Sequence, residues 1–324
     1  MAKLLIRAMV LPMTGPDDFY EQGEIAIEDD RIISVGSIGS APTGFKPDRI
    51  LNLQQDVVMP GLINTHTHAA MTLLRGYADD MPLMPWLEQK IWPFEAKMTG
   101  EDIYWGSALA MCEMIRSGTT TMVDMYMNEQ ETARAVLEAG TRAVLCRGMI
   151  GLDPKAASEA LAENVELYQK YNGAGDGRLK IIFGPHAPYT CPGDFLKLTK
   201  QEADRLGAGL HIHVAETKAE LATIKERYNT TPVRWLESLG FFGGHVIAAH
   251  CVYLDEEEMD IFKEYNVGVA HNPESNMKLN SGTAPIPKML AKGIAVGIGT
   301  DGTSSNNDLD MFGEMRSASF QQKL

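Results

Sequence analysis

The chain has 324 residues, enough for one large α/β domain beside a small one, and 44% of them are hydrophobic, enough to bury a core. Acids outnumber bases 43 to 29, a formal net charge of −14, so phosphate backbones and anionic membrane surfaces are poor partners. No apolar run approaches the roughly 18 residues of a membrane helix, and Cys112, Cys146, Cys191 and Cys251 form no C-x-x-C pair, which suits small core residues in a reducing cytoplasm.

The first stretch, "MAKLLIRAMVLPMTG", has a faint likeness to a secretory leader. Arg7 breaks its apolar part and no small-residue cleavage site follows, so it reads as a strand. With "GEIAIEDDRIISVG" and "RILNLQQDVVMPG" it forms a set of short β-branched runs broken by Gly, Pro and Asp. Residues 1–58 are therefore expected to be a small β domain of strands and hairpins.

Residues 59–324 change pattern to strand, then helix, repeated. The strand runs are "GLINTHTH", "TTTMVDMY", "RAVLCRGM", "LKIIFGPHA", "GLHIHVAE", "HVIAAHC", "VGVAHNP" and "IAVGIGTDG". Helix-like stretches such as "GEDIYWGSALAMCEMIRSG" and "ASEALAENVELYQKY" separate most of them, and many end in Gly or Asn. Eight such units predict a (β/α)8 barrel of the TIM type over a doubly wound sheet.

Polar residues fall late in these strands: His66 and His68, Asp124, Arg147, His186, His213, His250, His271 and Asp301. That is the rim where barrel enzymes keep their chemistry. His66 and His68 are two apart, so alternation points both to one face. Alone, an H-x-H pair reads more readily as two polar strand residues than as ligands. His211 and His213 repeat the spacing and Asp301 ends the last strand; three imidazoles and a carboxylate suit zinc or ferrous iron. Glu216 just past His213 is either a helix-starting acid or a general acid–base. The long stretch "YADDMPLMPWLEQKIWPFEAKM" after the first strand is either a packed surface loop or an aromatic flap over the mouth.

The motifs "PGLINTHTHAAM", "HVAET" and "GIGTDGTSSNNDLDMFGEMR" resemble the amidohydrolase superfamily, and more closely its 5-methylthioadenosine/S-adenosylhomocysteine deaminases. The resemblance spans nearly the whole chain. It implies hydrolytic deamination of an adenine nucleoside (methylthioadenosine, S-adenosylhomocysteine or adenosine) to an inosine-type product and ammonia. The implied cofactor is one divalent ion, zinc or iron, on His66, His68, His213 and Asp301. Lys180 begins the fourth strand, whereas binuclear relatives carry a carboxylated lysine at its end, so one ion is expected. The implied catalytic groups are Glu216, His250 and Asp301. Glu216 moves protons to the ring nitrogen, His250 polarises the water, and Asp301 passes the water's proton to the leaving amine.

The same resemblance places Trp86 against the substrate and Glu95 on the ribose hydroxyls, with Arg147 and His186 as further substrate contacts. Members that favour S-adenosylhomocysteine use a second Arg soon after Arg147; residues 150–175 offer only Lys155 and Lys170. Family members also usually run beyond this length. The expected fold is then an α/β TIM-type barrel with a small N-terminal β-sandwich-like domain and its C-terminal part missing, either truncated or completed by another copy in a homo-oligomer. Other readings are a guanine or cytosine deaminase, a triazine chlorohydrolase, or an inactive metal-binding relative.

Overall fold

The computed structural model describes residues 2–323, and its contacts divide the chain after Gly61. The first unit is a single mixed sheet of β1 (Lys3–Val10), β2 (Tyr20–Glu28), β3 (Arg31–Ser37) and β4 (Arg49–Val58). Its order is β3-β2-β1-β4. β1 and β2 pair antiparallel, as do β2 and β3, whereas β1 and β4 run parallel. The turn between β2 and β3 falls on Asp29, whose φ of +54 lies in the left-handed region that Asp tolerates. Buried Glu24 accepts from Arg7 Nε at 3.0 Å and from the amides of Gly39 and Ala41, both at 3.2 Å. The expected sandwich-like character is corrected here: this unit has one sheet and no second layer among the described residues.

The second unit is a TIM-barrel-like ring of parallel strands. These are β5 (Leu62–Thr67), β6 (Thr119–Tyr126), β7 (Arg142–Met149), β8 (Leu179–Ile181), β9 (Gly184–Pro185), β10 (Leu210–Val214), β11 (Val246–His250), β12 (Gly268–His271) and β13 (Val296–Ile298). β8 and β9 share the fourth position, since both pair with β7. The ladders form two arcs, β5 to β8 and β10 to β13. Single bridges join the arcs, Phe183 to Leu210 and Thr67 to Asp301. The first and last strands also interlock inside the ring. Asn64 Nδ2 donates to Thr300 Oγ1 at 2.7 Å, and Thr300 N donates back to Asn64 Oδ1 at 3.0 Å.

Helices follow the strands because local signals start and stop them. Thr99 and Asp102 form a capping box at the head of the helix Gly100–Arg116. Asp153 caps Pro154–Tyr171, with proline at the first helical position. Ile103, Ala110, Met111 and Met114 turn inward from the first of these helices, and Met111 and Met114 pack with Met122 and Leu145 of the strands. Gly106 is required where that helix meets the segment after β5, since a Cβ there would lie 2.5 Å from the Ala70 carbonyl oxygen.

The expectation that the last unit lacks its end is also corrected. β13 is followed by a helix, Met311–Gln321, that packs against it. Glu314 on that helix is fully buried and accepts from Glu274 N and Asn306 Nδ2. Burial, reinforced by the Glu274 charge, pushes its carboxyl up to about 9. The unfolded chain releases the same proton near 4.5. Between these values the folded state holds more protons, so this contribution to stability is full below about 4.5 and is lost as pH rises to about 9. Urea-unfolding free energies should therefore decline across that window, and Glu314→Gln should flatten the decline. An unchanged slope in the variant would refute the assignment.

Candidate metal centre and active site

His66 lies on β5 and His68 one residue beyond it, so both rings leave the strand on one face. His213 is on β10, His250 ends β11, and Asp301 follows β13 at the bridge to Thr67. Two overlapping sets, His66–His68–His213 and His66–His250–Asp301, bring their ligand atoms within 4.8 Å of one another. Their burial and donor chemistry fit a single divalent ion.

The other ring nitrogens are already engaged, which fixes which atom faces inward. His68 Nδ1 donates to the Met125 carbonyl at 2.6 Å, and His213 Nδ1 to the His186 carbonyl at 2.6 Å. His66 Nδ1 lies 2.8 Å from His211 Nε2. His66 Nε2 is fully buried with no hydrogen-bond partner, as expected of an atom awaiting a cation. Asp301 Oδ1 lies 3.2 Å from His68 Nε2 and 3.5 Å from His66 Nε2, while Oδ2 accepts from Ser275 Oγ at 2.6 Å.

The electrostatics follow from burial and from Asp301. Burial lowers the imidazole of His66 to about 4 and that of His186 to about 3. Burial also opposes charge on His68, but its hydrogen bond to Asp301 and that carboxylate's charge prevail and raise it to about 9. Burial alone would raise Asp301; the two histidines instead hold it well below the carboxylate range. Glu216, 5% exposed, is pushed up by burial, and its Oε1 accepts from Ser281 Oγ at 3.1 Å. Glu220 accepts the amides of Ala215 and Glu216, both at 2.9 Å, and so fixes the turn that presents Glu216.

One cavity collects the sequence candidates. Trp86, Glu95, Arg147, His186, His213, Glu216, His250, Asp301 and His68 all line it, while His66 sits behind them, fully buried. The stretch after β5 forms short helical turns, and Trp86, Leu87 and Ile91 from them pack into a cluster with Met71 and Leu279. Asp124 does not touch a histidine; it accepts from the Thr67 hydroxyl and Ala69 N. His271 is buried outside the cavity lining. The H-x-H spacing pairs His211 with His213 in the sequence, and its place in the structure is behind His66, its Nε2 2.8 Å from His66 Nδ1. Ser275, Ser281 and Asn276, the last 2.9 Å from His250 Nδ1, carried no signal at all.

Because His211 is the partner that orients His66, His211→Leu should weaken zinc affinity by about 10- to 100-fold. Chelator competition on the zinc-loaded protein measures this, and parental affinity in a folded variant would exclude the role.

The amidohydrolase family model matches residues 57–324. The 5-methylthioadenosine/S-adenosylhomocysteine deaminase of Desulfitobacterium hafniense (strain Y51) is 68% identical over all of this chain and 75% of its own length. That of Pelotomaculum thermopropionicum is 55% identical over the whole chain and 75% of its length. Among solved structures, an adenosine deaminase from Xanthomonas campestris with bound zinc superposes with a TM-score of 0.94 at 37% identity, covering 99% of this chain and 74% of that one. A guanine deaminase from C. acetobutylicum, TM-score 0.91 at 23% identity over 99% of this chain and 79% of its own, shares the fold. The extent of these matches establishes that the chain belongs to the amidohydrolase family and, within it, to the 5-methylthioadenosine/S-adenosylhomocysteine deaminases.

Proposed function

We propose that this chain deaminates an adenine nucleoside by hydrolysis, exchanging the C6 amino group for oxygen and releasing ammonia. The observation that carries the reading is one cavity in which Glu216 and His250 stand beside the histidine–aspartate cluster under an aromatic cover. A divalent ion, zinc or iron, would be held by His66, His68, His213 and Asp301, and it supplies the Lewis acidity that brings a bound water's pKa to about 7.

The chain's own residues handle two protons. Ser281 holds Glu216 Oε1, leaving Oε2 turned toward His250 Nε2 at 3.9 Å. A buried carboxyl with a raised pKa takes a proton from water and holds it for delivery to ring nitrogen N1. His250 Nε2 faces both that carboxyl and Asp301 Oδ2, 4.0 Å away, and orients the attacking water between them. Asp301 accepts the water's second proton and passes it to the leaving amine. One water thus provides the proton on N1, the proton on ammonia and the new C6 oxygen.

Trp86 and Trp92 supply flat apolar wall for a purine, and Glu95 is the acceptor for the ribose hydroxyls. Glu216→Gln keeps the shape and the Ser281 contact but cannot carry the proton. It should retain the metal and lose most turnover on methylthioadenosine; normal turnover would sink the role.

Arg147 decides between the two substrates in the relatives' name. Among the described residues it is the one Lys or Arg lining the cavity. Its Nε is paired with Glu163 at 2.7 Å, and its Nη1 is bonded to the Gly148 carbonyl. A guanidinium already neutralised binds an added carboxylate weakly. Methylthioadenosine, with its neutral thioether, is therefore preferred to S-adenosylhomocysteine. Glu163→Gln should raise kcat/KM on S-adenosylhomocysteine by about 2- to 5-fold, the scale of a partly exposed ion pair. Methylthioadenosine should be unaffected, and an unchanged ratio would reject this preference.

A further inference from the structure

Two carboxyl groups lie together beneath the site, and the chemistry above uses neither. Asp124 is on β6 and Glu129 opens the helix Glu129–Ala139; they are 0% and 1% exposed. Each bears on the other: burial, and then the Asp124 charge, hold the Glu129 carboxyl well above the usual carboxylate range. Asp124 Oδ2 and Glu129 Oε2 are both buried without a hydrogen-bond partner. Two bare anions side by side at this depth would repel strongly without water to screen them. A proton shared between the two would turn that repulsion into a bond.

The outer oxygens show what the pair holds. Asp124 Oδ1 accepts from the Thr67 hydroxyl and from Ala69 N at 2.7 Å. These residues flank His68 on either side. Glu129 Oε1 accepts from Tyr126 N at 2.9 Å. Tyr126 follows Met125, whose carbonyl receives the His68 ring at 2.6 Å. The pair therefore grips both the backbone that carries His68 and the backbone on which its ring rests. On the inner side the His68 ring meets Asp301 Oδ1 at 3.2 Å and stacks on His213, centroids 5.5 Å apart, so the Met125 carbonyl is what holds its outer nitrogen. The ladder between β5 and β6 is irregular between Asn64 and Thr67, so regular sheet pairing does not set this geometry.

We propose that Asp124 and Glu129 act as a clamp between the ends of β5 and β6 that positions His68 Nε2 toward the metal. They are positioning residues, since neither faces the cavity. The inference rests on the reading of His68 as a ligand. Glu129→Gln keeps the clamp, because its amide nitrogen donates to Asp124 Oδ2 while its oxygen still accepts Tyr126 N. Glu129→Ala cuts it.

The test is the rate at which the full-length, zinc-loaded protein releases zinc to excess chelator, well below each variant's unfolding midpoint. Glu129→Gln should release zinc within about twofold of the parent, and Glu129→Ala at least about tenfold faster. Tyr168→Phe removes a hydrogen bond to the Leu206 carbonyl at 2.7 Å, away from the clamp; it should lower the midpoint without changing release. Should Glu129→Ala not fold, Thr67→Val removes one donor to the clamp and should speed release about threefold or more. Parental release in the clamp-cutting variant, or equal acceleration in Glu129→Gln, overturns the clamp alone. A parent that retains no zinc overturns the metal reading and the clamp with it.

Discussion

The structure depends on one buried carboxylate at the seam of the ring. Asp301 stands where the last strand meets the first, its own amide bonded to the His66 carbonyl at 2.9 Å. A carboxylate at 4% exposure is tolerated only if its charge is met. Gly302 N, Ser275 Oγ and the imidazoles of His66 and His68 meet it. The same contacts that close the ring therefore assemble the centre. Imidazole protonation and cation coordination compete for the same nitrogen, so the charge that holds His68 protonated is also the charge that favours a metal there.

Closing a ring this way costs backbone freedom. Ala215, His250, Cys251 and Asp301 all have φ between +50 and +70, a region that side chains normally avoid. Each such residue costs on the order of 1 kcal/mol or more. They persist because hydrogen bonds around them leave no alternative: Cys251 N reaches the Val214 carbonyl and Tyr253 N the Ala215 carbonyl. Gly299, one residue before Thr300, makes room for this crowding, since a Cβ there would sit 2.7 Å from His66 N. The strained turns lie at the strand ends that carry Glu216, His250 and Asp301, where reorganisation during reaction would be most damaging.

Much of the architecture was legible because its signals are local. Alternation along "GLINTHTH" and "GLHIHVAE" put His66 with His68 and His211 with His213, and Thr99 and Asp153 mark helix starts by side-chain chemistry. The errors concern layers and ends. Strand-like runs in residues 1–58 carry no information on whether a second sheet covers the first, and the sandwich expectation failed there. The expectation of an unfinished last unit failed because "MFGEMRSASFQ" is a helix whose amphipathic pattern is weak to the eye.

The sequence by itself determined the metal chemistry: three imidazoles and one carboxylate at strand ends, and the family to which such motifs belong. It could do so because period and motif are properties of neighbouring residues. Only the tertiary structure decided who supports whom. His211 behind His66, Ser281 on Glu216, Ser275 on Asp301, Asn276 on His250 and Glu163 on Arg147 join residues 16 to 145 positions apart. Such partners are chosen by where the ring closes and by the need to satisfy each buried polar atom, and neither constraint is written in any short stretch of chain.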